Sequence, residues 1–270
     1  MSEPRVSFAP GVDIDASVAA AIAALHRDGV VVLDDLVDSS LVAQCRAEIE
    51  AAYPDLAETN IANNYGPYEK RHCMPMVIEN TLADKAILLP TPVARMAKHL
   101  LLPTFKVDSV GLLVAASGAP EQKRHADASL YPGTPLDRLL PPFAIAFALP
   151  LVTMDESTGR TAFWRGTHRG SGEEPKGDYD YAPVVHPGSA ILWDFRIFHG
   201  GLANVSAQPR PVIFTVLARQ WWIEIEPPEA VHYDKLKIAR DVHTAFKPKW
   251  QQRFRRAKIV DSVPQGSKDA

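Results

Sequence analysis

Short stretches of apolar, β-branched and aromatic residues, cut by proline and glycine, dominate this chain from about residue 105 onward. Lys106 to Ala116, Phe143 to Met154, Thr161 to Thr167, Ala190 to Phe195 and Pro211 to Trp222 each have the content of a strand. Phe143, Ile145, Phe147 and Leu149 alternate with alanines, a period of two. Upstream the period changes. Val18, Ile22 and Leu25 predict a helix from Ala16 to Asp28, with Asp15 as its cap and Gly29 as its stop. Val30 to Leu33 follows as a buried strand, and Asp38 or Ser39 caps a second helix to about Tyr53. Ala94 to Leu102 predicts a short helix stopped by Pro103, whereas the polar and aromatic stretch Ala57 to Met76 predicts a loop or irregular strand. Near the end, Phe246, Trp250 and Phe254 share one face if a helix begins at Pro248. The sum is a mainly β barrel or sandwich with flanking helices.

Bulk properties narrow this only a little. The 270 residues suit one domain, 46% hydrophobic and 23% charged, as in ordinary globular proteins. A net charge of −3 gives no general pull toward nucleic acid or anionic lipid. Nine Lys or Arg against two Asp between Asp234 and Lys258 form a basic strip, read as the solvated side of a packed helix. Cys45 and Cys73 make neither a disulfide framework nor a zinc motif, and a reducing cytoplasm is the expected setting. The N-terminus shows no signal pattern, and the longest apolar run, Phe143 to Val152, is too short to span a membrane. The C-terminal Lys-Asp-Ala is not a peroxisomal address. The expected partner is a small molecule, with no nucleic acid and no membrane; oligomeric state stays open.

The chemistry lies in His125, Asp127 and the distant His199. In an extended segment residues i and i+2 face one side, so His125 and Asp127 can reach one ion with Ala126 turned away. Two imidazoles and one carboxylate on one face of a metal leave positions open for other ligands, the donor set of non-haem Fe(II) oxygenases. A lone His-x-Asp is as readily a surface pair. The third anchor is Arg210, which enters the apolar run Val212 to Leu217. A guanidinium in such a strand calls for an anion, and its fork matches a carboxylate. An open iron site beside it fits 2-oxoglutarate, which has a chelating end and a far carboxylate; a loop-edge arginine paired with a surface acid is the plainer alternative.

From Gln122 to Trp222 the chain resembles the phytanoyl-CoA dioxygenase family of Fe(II)/2-oxoglutarate-dependent oxygenases. Gln122-Lys123-Arg124-His125-Ala126-Asp127 is similar to the family's Gln-x-x-His-x-Asp. Leu149 to Gly159, then Phe163 to Arg169, is similar to its acidic-Asn-Gly and Pro-Gly-Ser-His segment, with Thr158, Arg165 and Thr167 in place of the usual Asn, Pro and Ser. Gly188 to His199 resembles the strand carrying the distal histidine. The resemblance implies a double-stranded β-helix (jelly roll, cupin-like) core at about 105–222, within a single domain spanning 1–270. It has a helical lead-in at 13–104 and a helical tail at 230–260. It implies Fe(II) on His125, Asp127 and His199 and the far carboxylate of 2-oxoglutarate on Arg210. Gln122 would donate a hydrogen bond beside the metal, Thr161 would offer a hydroxyl to the cosubstrate, and His168 would support a turn.

The expected activity is O₂-dependent oxidation of a C–H bond in a small molecule, by hydroxylation, desaturation or a related outcome, in natural-product metabolism. Tyr65, Tyr68 and His72 are candidate substrate contacts, as pocket wall or as ordinary surface loop. An acyl-CoA hydroxylase is the alternative within the class. A cupin-type isomerase would have no need of Arg210, and an inert binding module no need of the intact triad.

Overall fold

The alternation of bulky residues and alanines between Phe143 and Pro150 sorts side chains to two faces, and the molecule is organised around those faces. The computed structural model describes residues 3–54, 56, 70–131, 134, 136–170, 173–223 and 235–261. Its strands are β1 (Arg5–Ser7), β2 (Val30–Asp34), β3 (Arg71–Pro75), β4 (Val77–Ile78), β5 (Lys106–Ala115) and β6 (Ala144–Pro150), then β7 (Thr161–Trp164), β8 (Ala190–Asp194), β9 (Phe198–Gly201), β10 (Arg210–Ala218), β11 (Lys237–Ala239) and β12 (Lys258–Val260). The helices are α1 (Ile14–Asp28), α2 (Ser39–Ala52), α3 (Lys85–Leu88), α4 (Thr91–Leu101), α5 (Leu136–Leu139), α6 (Arg240–Ala245) and α7 (Pro248–Gln251).

Seven strands form one sheet in the order β1-β2-β8-β6-β10-β5-β3. Strands β7 and β9 form a small antiparallel sheet, extended by bridges from Phe163 to Tyr181 and from His125 to His199. This is the mainly β jelly roll expected, a double-stranded β-helix braced by helices. Ile145, Phe147 and Leu149 turn outward into the main core, where residues of α1, α2 and α4 cover them. Ala146 and Ala148 turn inward, where their small side chains leave space.

Local signals account for the edges. Asp13, not Asp15, caps α1: its carboxylate accepts the N–H groups of Asp15 and Ala16, so the helix starts two residues earlier than its apolar spacing suggested. Gly29 ends α1 at φ 81°, and a Cβ there would lie 2.5 Å from the His168 ring. Asp38 caps α2. α4 begins at Thr91, with Pro92 in its first turn.

Two expectations need correction. Part of the stretch expected to be irregular, Arg71–Pro75, is the regular edge strand β3, paired with β5. The tail is only partly helical: β11 lies between β4 and β12, all parallel. Phe246, Trp250 and Phe254 do cluster, with ring centroids 5.4 to 6.2 Å apart. Among the described residues no helix is long and apolar enough to cross a membrane.

Candidate active site

His125 and His199 face each other as a bridged antiparallel pair. Each backbone N–H donates to the other's carbonyl, at 2.9 and 2.8 Å, so both side chains leave the same side. Their rings lie 4.5 Å apart. Asp127 N–H donates to the Phe195 carbonyl, which brings its carboxylate to the pair. One ligand-type atom from each of His125, Asp127 and His199 lies within 4.8 Å of the others. His199 Nε2 is 3.5 Å from Asp127 Oδ1.

Surrounding groups orient these donors. His125 Nδ1 sits 2.9 Å from the Lys123 carbonyl, and His199 Nδ1 sits 3.1 Å from the Ile197 carbonyl. A carbonyl can only accept, so each Nδ1 carries the proton and Nε2 is the ligand-type nitrogen. Trp193 Nε1 donates to Asp127 Oδ2 at 2.9 Å, turning Oδ1 toward His199. Burial, first, and the nearby His125 lower the pKa of His199; the Asp127 charge opposes them. A neutral imidazole is the form that binds metal. The segment after Asp127 is pinned by buried Asp137, which accepts from Ser129 Oγ and from the Leu130 N–H.

The group lines a cavity of about 210 Å³ inside the jelly roll. Beside it, Gln122 Oε1 accepts the Gly201 N–H at 2.9 Å, which leaves its amide NH₂ as the donor end on the cavity wall. Thr161, opposite Gly201, is on the same wall. Arg210 is 1% exposed. Its Nη1 donates to the Gly159 carbonyl at 2.6 Å, and its Nε has no partner. Gly159 is held at φ 86°, with the Leu202 carbonyl 2.5 Å from where a Cβ would be; glycine is required there. The turn before it is closed by Asp155 and Thr158, whose hydroxyl donates to the Thr153 carbonyl at 2.7 Å, so threonine serves where asparagine is usual.

A second buried guanidinium was not among the expected site residues. Arg71 on β3 and Arg210 on β10 are both in register with Ala115 on the strand between them. Directly paired residues share a face, so the two arginines flank a methyl group and converge over it. Arg71 Nη2 donates to the Pro120 and Leu202 carbonyls at 2.8 and 2.7 Å, while its Nη1 has no partner. Burial pushes the Arg71 guanidinium down to about 10, and burial plus the Arg71 charge pushes Arg210 down to about 9. Two buried cations with unfilled donors are a prepared anion site. The donor set and these two arginines therefore fit both a divalent metal and a dicarboxylate.

The expected substrate contacts fare differently. His72 sits opposite Val114 in β5 and shares its core-facing side, away from the cavity. The strand's period of two, unseen in the sequence, turns Arg71 and Cys73 to the opposite face instead. Tyr65 and Tyr68 lie outside the described residues.

The family description "Phytanoyl-CoA dioxygenase (PhyH)" matches residues 25–212. The chain belongs to the phytanoyl-CoA dioxygenase family. Membership gives the enzyme class, a 2-oxoglutarate-dependent non-haem iron dioxygenase. Among curated relatives, dioxygenase cdmA of Talaromyces verruculosus is 26% identical over 218 residues, which cover 72% of this chain and 70% of that protein. Dioxygenase trt7 of Aspergillus terreus is 22% identical over 194 residues, 67% of this chain and 66% of that protein. Among solved structures, HygX of Streptomyces hygroscopicus, with nickel, 2-oxoglutarate and hygromycin B bound, shares the fold. Its TM-score is 0.60 at 11% identity, covering 79% of this chain and 92% of that one.

Proposed function

We propose that this enzyme oxidises a C–H bond of a small, largely apolar molecule, using Fe(II) held by His125, Asp127 and His199 and 2-oxoglutarate anchored by Arg210. The observation that carries this reading is one cavity lined by both an open three-donor cluster and the buried Arg210, whose guanidinium keeps an unfilled donor and has a second buried guanidinium, Arg71, as its neighbour. Bound together, Fe(II), 2-oxoglutarate and O₂ supply an oxidant able to remove hydrogen from carbon, with succinate and CO₂ as by-products. The remaining work belongs to the protein. Trp193 and the two carbonyls on Nδ1 fix the donors in place. Arg210 and Arg71 grip the far carboxylate, and Gln122 and Thr161 offer polar contacts beside it. Leu113, Val212, Phe214, Met154 and Ile191 exclude water around the substrate.

The apolar lining favours a compact metabolite, and on this fold HygX holds hygromycin B and SnoN is an epimerase from nogalamycin biosynthesis. We place the reaction in natural-product metabolism on that basis. The test is succinate release from aerobic enzyme loaded with Fe(II) and 2-oxoglutarate, screened across free metabolites and acyl-CoA thioesters. A free metabolite is expected to stimulate release several-fold, and His199→Ala is expected to abolish it. Stimulation by acyl-CoA alone would move the substrate to the thioester class. Undiminished release by the folded His199→Ala protein would remove His199 from the metal site.

A further inference from the structure

Gly111 stands in the middle of β5, a regular strand where its φ is one that any residue adopts. Glycine inside a strand weakens it, and it marks a place where another group comes close. Here two groups do. A Cβ on Gly111 would lie 2.7 Å from both Cε1 and Cζ of Phe214, and 2.5 Å from the Met74 carbonyl oxygen. Phe214 on β10 is in register with Gly111, so both face the same side of the sheet. The Phe214 ring therefore leans across β5 and lies on the glycine.

On its other side Phe214 pairs with Ala148 on β6, and Ala148 pairs in turn with Ile191 on β8. All three line the cavity. Two residues along each strand, Val216, Ala146 and Trp193 form a second such row. With the Phe214 ring drawn toward β5, the floor between it and β8 is the methyl groups of Ala146 and Ala148. The walls of this slot, Phe214 on one side and Ile191 with Trp193 on the other, are anchored two strand spacings apart, about 10 Å. Trp193 also holds the Asp127 carboxylate, so the slot opens beside the metal donors. Arg210 lies four residues from Phe214 along β10, about 13 Å of strand. The slot and the cosubstrate's anchor are separate parts of one cavity.

We infer that Phe214, seated on Gly111, is a specificity-determining residue: parked over β5, its ring opens the slot above Ala146 and Ala148 and sets the girth of the apolar group admitted beside the metal. A side chain at position 111 would push the ring over Ala148 and narrow the slot. Loss of the ring would widen it. The group presented to the metal is then uncharged and about the width of one ring. This inference rests on the oxygenase reading, which puts metal and substrate in this cavity.

Cyclohexanol and 1-adamantanol, neutral alcohols that differ in girth, are the probes. Each is titrated anaerobically into enzyme saturated with Fe(II) and 2-oxoglutarate, and binding is read as perturbation of the visible charge-transfer band of that complex. The quantity compared between variants is the affinity ratio of 1-adamantanol to cyclohexanol, in which their different hydrophobicity cancels. Phe214→Ala is expected to raise this ratio about tenfold or more, the scale on which an apolar pocket discriminates by size. Gly111→Ala is expected to lower it. Adding Phe214→Ala to Gly111→Ala is expected to restore the ratio of Phe214→Ala alone, because the displaced ring is gone. Should the Met74 carbonyl keep Gly111→Ala from folding, Phe214→Ala against wild type still decides. An equal ratio in those two proteins, or binding of neither probe to either, overturns the assignment to Phe214. So does a changed 2-oxoglutarate affinity with an unchanged ratio. A double variant that keeps the ratio of Gly111→Ala overturns the role of the seat. Failure of the band to form at all overturns the oxygenase reading, and this one with it.

Discussion

Arg196 and Arg210 are both almost wholly buried, at 2% and 1% exposure, yet they are built in opposite ways. Arg196 is closed. Its Nε and Nη2 donate to the two oxygens of Asp194 at 2.9 and 2.7 Å, and its Nη1 donates to the Asp137 and Leu140 carbonyls, both at 2.7 Å. Although burial opposes it, the Asp194 carboxylate raises its pKa. Through Asp137 it also braces the segment that follows Asp127. Arg210 is open: it has one carbonyl partner, an unfilled Nε, and a second cation as its neighbour. The contrast separates a cation that finishes the fold from one that waits for a ligand. A buried charge with its counter-charge in the chain is structure; a buried charge without one marks where an external anion belongs.

Replacing the partner of the closed arginine should have the largest effect. Asp194→Asn strands Arg196 in the core and is expected to cost about 3–5 kcal/mol of stability, measured by denaturant unfolding. Removing the open arginine should do the reverse. Arg210→Met is expected to leave stability equal or higher, because an uncompensated buried charge is gone. It is also expected to weaken 2-oxoglutarate binding by about 100-fold or more. A large stability loss in Arg210→Met with unchanged cosubstrate affinity would erase the distinction.

Titration sharpens the same contrast. Burial depresses the pKa of Arg210 to about 9 in the ligand-free enzyme. Below that pH the guanidinium is charged and ready for an anion. Above it, binding a carboxylate requires taking up a proton, so affinity for 2-oxoglutarate should fall as pH rises through about 9. Affinity that is flat from pH 8 to 10 would show that Arg210 keeps its charge despite burial. The smallest expected effect is at the second cation. Arg71→Met should weaken cosubstrate binding about tenfold, since Arg71 also spends donors on the Pro120 and Leu202 carbonyls.

The parts of this enzyme visible in its sequence are those encoded locally. The His-x-Asp spacing, the arginine at the head of a β run and the strand periods from residue 105 onward all depend on neighbours in the chain. The alternation of Phe143, Ile145, Phe147 and Leu149 with alanine was legible too, but only the fold shows what the alanine face does: it is the floor of the cavity. Arg71 was hidden for the opposite reason. Arg-His-Cys-Met-Pro has neither a helical nor a strand period, and its meaning comes from pairing with β5, some forty residues away in sequence. The same misreading assigned His72 to the substrate side, because a strand not seen cannot be given faces. The tail's small parallel sheet escaped notice likewise, since β4, β11 and β12 are brief and meet only in three dimensions.

We propose that His125, Asp127 and the distant His199 share one ferrous ion, beside a guanidinium placed for the cosubstrate. Anaerobic addition of Fe(II) and then 2-oxoglutarate to the purified protein tests it most directly. A weak visible charge-transfer band that saturates at one iron and one 2-oxoglutarate per chain, and is lost in His199→Ala, is the predicted result. A folded protein that gives no such band, or an undiminished band in His199→Ala, would contradict the account.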